Sequence, residues 1–171
     1  MNTLEVIKTR RSVRNYTHQV IKKADLQEIV ESGMYAPSAH NQQPREFLIL
    51  QDKEQLLRLS KHLIYGKMLA QANVVIIPCF HLTELKAPHF VTQDMGACVE
   101  NILLAAHAKG IGAVWIGVYP EENTNHFLNE YLHLPQGIEI FNLISLGYPD
   151  ENVPLWDKKC RFPERIHWGK R

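Results

Sequence analysis

Three features of the sequence predict an α+β sandwich, one sheet with helices packed against it. Helical and extended segments mix without the regular βαβ alternation of a doubly wound parallel sheet. Val74-Val75-Ile76-Ile77 is a continuous β-branched run, which marks a strand buried on both faces. Residues 91–109 carry Val91, Met95, Cys98, Val99, Ile102, Leu103 and Ala106 at the 3.6-residue period, which marks a central helix. At 171 residues the chain reads as a single domain, 1–171, long enough to bury a sizeable core.

The first helix is expected to start at Asn2 as N-cap, with Glu5 placed for a capping box and Leu4 and Ile7 as its apolar edge. Near its C-terminal end lies Arg10-Arg11-Ser12-Val13-Arg14, three guanidiniums and a hydroxyl in about one and a half helical turns. On its own this cluster reads either as a solvated basic face or as a phosphate grip, since arginine forks match phosphate oxygens. A second helix over residues 24–36 has Leu26, Ile29, Val30 and Gly33 at helical spacing and is stopped by Pro37. Residues 36–44, bounded by prolines and full of amides and hydroxyls, read as an ordered loop.

Phe47-Leu48-Ile49-Leu50 is a short buried strand, followed by a helix opened by Asp52 with Leu56, Leu57 and Leu59 inside. Residues 67–70 form a further short helical piece, and Pro78 argues for a strand end or sheet edge after the β-branched run. In the long helix Gly96, Ala97, Ala105 and Ala108 keep other faces small, and Gly110 ends it. Residues 112–119 read as a strand, 120–132 as a helix and 141–146 as a fourth strand, followed by the turn Gly147-Tyr148-Pro149. The tail over residues 151–171 is aromatic and basic, with Trp156, Phe162 and Trp168, and such residues dock on something, a partner subunit among the candidates.

A formal net charge of +1 argues against a dedicated nucleic-acid binder. Cys79, Cys98 and Cys160 are odd in number and widely spaced, so neither a disulfide framework nor a zinc site is suggested, and a reducing cytoplasm is expected. The start lacks the apolar run of a signal peptide, and no run reaches membrane-spanning length. No P-loop, GxSxG elbow or GxGxxG is present: Gly110-Ile111-Gly112 follows a helix instead of a strand. The nine histidines show no metal spacing, and Asp94 and Glu100 read as isolated structural carboxylates.

Taken together, the arginine cluster, the loop Pro37-Ser38-x-x-Asn41-x-Gln43-Pro44 and the strand Gly110-x-Gly112…Trp115-x-Gly117 resemble the FMN-dependent nitroreductase family. Lys159-Cys160-Arg161-Phe162-Pro163 is similar to that family's closing K-x-R-x-P, so the resemblance runs the length of the chain in the family's order. It implies a nitroreductase-like sandwich with one mainly antiparallel mixed sheet, and a C-terminal tail exchanged in a homodimer with FMN at the interface. Arg10, Arg11, Ser12 and Arg14 match the segment holding the FMN phosphate and ribityl chain, and Lys159 and Arg161 match the basic pair returning from the tail. Pro37, Ser38, Ala39, Asn41 and Gln43 match the loop laid against the flavin ring from the other subunit. Ile116 and Gly117 match the strand-end backbone facing the ring, and Lys67 a lysine near flavin N1 and O2. Many members carry Asn one turn before that lysine, where this chain has Ile64.

The implied activity is hydride transfer from NADH or NADPH through flavin N5 to a nitroaromatic, quinone or flavin acceptor in a ping-pong cycle. No catalytic side chain and no metal is implied, because the cofactor carries the chemistry. Two other readings are a flavin-binding protein without turnover, and a module whose basic face binds nucleic acid or another anionic partner. The short stretches between Tyr65 and Val91 and between Val118 and Ile138 leave little room for the helices that roof the pocket in larger relatives.

Overall fold

Asn2 and Asp52 open their helices as the sequence predicts, each accepting a backbone N–H three residues on, from Glu5 at 2.9 Å and Gln55 at 2.8 Å. The computed structural model describes residues 1–83, 85–150 and 162–169. In chain order the elements are α1 (Thr3–Thr9), α2 (Lys23–Met34), β1 (Arg45–Leu50), α3 (Lys53–His62), β2 (Val74–His81), α4 (Val91–Ala108), β3 (Gly112–Gly117), α5 (Glu122–Tyr131), β4 (Ile138–Ile140) and β5 (Asn142–Gly147). Short 3-10 turns lie at Ala39–Asn41, Lys67–Ala70, Pro88–Phe90 and Pro163–Arg165. The strands form one sheet in the order β1-β2-β5-β3, with β4 also on β2, and these pairings are antiparallel. A parallel bridge between Ser12 and Ala113 supplies the mixed character.

Alternation along the strands sends side chains into two cores. Val74, Ile76 and Phe80 of β2 join Ile144 and Leu146 of β5 in a cluster with α2 and the long helix α4. Val75, Ile77 and Cys79 join Val114, Ile116 and Leu143 in a second cluster with α3 and α5. The sheet is thus covered on both sides, as the β-branched run predicts. Gly33 lets α2 settle onto α4: a Cβ there would lie 2.9 Å from Ile102 Cδ1 and 3.0 Å from Cys98 Sγ. Gly110 closes α4 at φ +72°, a conformation open to glycine. Among the described residues no helix is long and apolar enough to cross a membrane, and no group of three metal-ligating side chains assembles.

Several expectations are corrected. The apolar edge of α1 is Val6, which packs inward, while Leu4 and Ile7 are 65% and 53% exposed. In α3 Leu56 and Leu59 are buried, and Leu57, on the opposite face, is 44% exposed. Pro78 neither ends β2 nor sits at an edge: it pairs with Phe47 of β1 in mid-strand. Its missing N–H is tolerated because β2 changes neighbour there, from β5 at Val74–Ile76 to β4 at Cys79–His81. At that break the Pro78 carbonyl accepts from Phe141 N at 2.9 Å. The strand at 112 ends at Gly117, and β4 is an element the sequence reading missed, three residues being too few to show a period. Of the tail, Trp156, Lys159, Cys160 and Arg161 lie outside the described residues, and Trp168 is 92% exposed.

Candidate active site

Beyond α1 the chain leaves the helix at Arg10 and runs extended beside β3, with Val13 N donating to Ala113 O at 2.9 Å. Two glycines make this close approach possible. A Cβ at Gly112 would lie 2.7 Å from Val13 Cγ1, and one at Gly147 would lie 2.6 Å from Tyr16 Cγ. Tyr16 pins the far end of the segment: its hydroxyl donates to Val13 O at 2.7 Å and lies 2.5 Å from Ser145 Oγ on β5. Burial pushes the Tyr16 phenol far above its ordinary pKa, so it remains a neutral donor. The basic cluster is therefore stapled along β3, the end strand of the sheet, and is not a loose face.

The staple divides the cluster. Arg14, exposed, lines a cleft of about 510 Å³ with Lys67, Tyr65, Trp115, Ile116 and Gly117. Its lining includes two cations and no carboxylate, and neither cation forms an ion pair among the described residues. At Gly117 a Cβ would meet nothing within 4 Å, so bare strand-end backbone faces open space. Ile64, Tyr65, Ile116 and Gly117 also line an adjoining cavity of about 680 Å³ that runs to Tyr119 and Phe127. Arg10 and Arg11 instead line a small cavity of about 160 Å³ at the start of β3, with His107, Gly112 and Ala113. There Arg10 Nε pairs with Glu100 Oε1 at 2.9 Å. Thr9 gives its hydroxyl proton to Glu5 O at 2.7 Å, so His107 Nε2, 2.8 Å away, is the donor to Thr9 Oγ1. Burial first, then Arg10 and Arg11, lowers the His107 pKa below its ordinary value.

The predicted loop lies elsewhere in the chain. Residues 37–39, Asn41 and Gln43 line neither of the two arginine-bearing cavities. His40, Asn41 and Gln43 have φ of 50°, 51° and 45°, each a left-handed conformation that costs about 1 kcal/mol or more. These are held by a network that sequence reasoning missed. Asp94, 6% exposed on α4, accepts from Ala39 N at 2.9 Å and from Gln42 Nε2 at 2.6 Å. Gln42 also pairs with both backbone groups of Ala87, at 3.0 and 2.9 Å. Gln43 N donates to Ser38 Oγ at 3.0 Å, and Gln43 Nε2 to Asn41 Oδ1 at 2.7 Å. Arg45 closes the loop's base on the carbonyls of Met34 and Ala36, at 3.1 and 2.6 Å. Lys159 and Arg161 lie outside the described residues.

Chemically, the cleft offers two cations, an aromatic wall at Tyr65 and Trp115, and exposed backbone at Gly117. That set fits a planar anionic cofactor, and among the described residues the lining brings no carboxylate.

The chain has relatives along its whole length. The Nitroreductase family model matches residues 7–65 and 59–148. A protein of Archaeoglobus fulgidus, described as an NADH dehydrogenase/NAD(P)H nitroreductase, is 42% identical over 169 residues, covering 98% of this chain and 97% of that protein. A crystal structure from Clostridium acetobutylicum, described as an NADH oxidase, superposes with a TM-score of 0.91 at 36% identity, over 97% of this chain and 99% of that one. A crystal structure from Desulfovibrio desulfuricans, described as a nitroreductase in complex with FMN, gives a TM-score of 0.86 at 30% identity, over 100% of this chain and 99% of that one. The chain belongs to the nitroreductase family, a class of oxidoreductases.

Proposed function

We propose that this chain is an FMN-dependent NAD(P)H oxidoreductase whose cofactor lies along residues 10–14 and the end of β3. The observation that carries the proposal is the cleft in which Arg14 and Lys67 line the same space as Ile116 and Gly117, with no carboxylate among its described residues. FMN held there by these residues would supply the redox chemistry, a hydride relay through N5 from NAD(P)H to a nitroaromatic, quinone or flavin acceptor in a ping-pong cycle.

The chain's own residues bind and orient. Arg14, with Ser12 and the Arg10–Arg11 pair behind it, meets the ribityl-phosphate portion, and Lys159 and Arg161 add to it from the tail. Lys67 places fixed positive charge where the reduced ring becomes anionic. The Gly117 backbone meets the ring edge without a side chain in the way. Ile64 brings no side-chain hydrogen bond at the position where many members carry Asn. The loop with Pro37, Ser38, Ala39, Asn41 and Gln43 covers the ring of a second copy, which makes the active unit a homodimer with an exchanged tail. Three widely spaced cysteines, with Cys79 and Cys98 buried and free, fit a reducing cytoplasm.

The purified protein is expected to be yellow with FMN and to bleach when NADH is added without oxygen. Parallel double-reciprocal lines are expected with NADH and a quinone, and intersecting lines would count against one shared pocket. Colour without NADH or NADPH turnover would leave a flavin-binding protein. A stable monomer that holds FMN tightly would overturn the role given to the loop.

A further inference from the structure

None of the roles above uses the buried carboxylate of Asp94. It sits in the first turn of α4, where a helix N-terminus favours negative charge. Both its oxygens are committed to the loop: Oδ1 to the Ala39 amide at 2.9 Å and Oδ2 to the Gln42 carboxamide at 2.6 Å. A carboxylate is suited to both because it brings two acceptors and no donor. An amide at the same place turns an N–H toward one of two N–H groups. Gln42 carries the grip onward, since its carboxamide pairs with the Ala87 N–H and C=O just before the next turn. The loop is thus tied down from within at residues 39 and 42. Its left-handed residues His40, Asn41 and Gln43 remain exposed.

We propose that Asp94 is a positioning residue for the flavin ring, acting through Gln42 and the Ala39 amide to hold the ring-covering loop in shape. This rests on the flavin reading given above. The loop acts on the ring and not on the phosphate, so its loss is felt by FMN and riboflavin alike. Removal of Arg14, by contrast, separates the two flavins.

The test compares Asp94→Asn and Gln42→Ala with the wild-type protein, using FMN and riboflavin as probes. Asp94→Asn is expected to weaken both flavins by the same factor, about tenfold, and to change the visible circular dichroism of FMN bound at saturation. Gln42→Ala, an intermediate-exposure loop position, is expected to move the same readouts in the same direction by about threefold, and it decides the matter if Asp94→Asn does not fold. Lower melting temperatures with unchanged flavin dichroism and affinities would mean that Asp94 only stabilises the fold, and would overturn the proposal. A wild-type protein that takes up neither flavin would overturn the flavin reading itself, before any variant is compared.

Discussion

Replacing Arg14 by alanine probes the cleft most directly. The side chain is exposed and forms no ion pair among the described residues, so its removal orphans no buried partner and leaves the melting temperature nearly unchanged. What it removes is a charge-assisted contact to the cofactor, about 1.5–3 kcal/mol for a hydrogen bond to a charged group. That range corresponds to about 10- to 150-fold in the FMN dissociation constant. The lower end suits a guanidinium still reached by water, and the upper end one covered by the cofactor and a second subunit. Fluorescence titration of the apoprotein reads the constant, with riboflavin as the control that lacks the phosphate. Arg10→Ala removes the guanidinium held by Glu100 and is expected to fall in the same range. Unchanged FMN affinity in both variants would refute the phosphate grip.

The glycines give a contrast. Gly147→Ala forces a Cβ to 2.6 Å from the Tyr16 ring and is expected to cost about 1–3 kcal/mol in denaturant unfolding. Gly117→Ala meets nothing within 4 Å, so the fold is expected to stay intact while flavin affinity drops. His107, its pKa lowered by burial and by Arg10 and Arg11, binds its proton less readily in the folded chain than in the unfolded one. Its stabilising contribution is complete above its unfolded pKa, about 6.5, and is lost as pH falls through the lowered value. His107→Gln is expected to flatten that part of the curve in denaturant midpoints taken between about pH 5 and 8. Burial pushes the thiols of Cys79 and Cys98 up to about 12 and about 11, so iodoacetamide at neutral pH is expected to modify neither in the native protein. Mass spectrometry counts the adducts.

Where one periodicity dominates, the sequence was a good guide. Helix α4 was legible from its stripe to within a residue, and β2 from its β-branched run. Leu4, Ile7 and Leu57 misled because an apolar residue states no direction, and the helix phase was set by Val6, Leu56 and Leu59. Pro78 misled because the change of neighbour that tolerates it depends on β4, which is too short to announce itself. At the site, Arg14, Lys67, Ile116 and Gly117, which the family resemblance singles out, line one cleft. Gln42 is a variable position of the loop motif and Asp94 looks isolated in the sequence, because the pairing between them spans 52 residues. Trp115 is legible only as a member of the strand motif, and Tyr65 gives no signal beyond being aromatic.

The stapling of residues 10–14 to β3, with Tyr16 as the pin, bears on the speed of cofactor uptake. Groups already fixed in register lose little freedom when a ligand arrives. Loading is then expected to be a single bimolecular phase, linear in FMN concentration, without a slow rearrangement behind it.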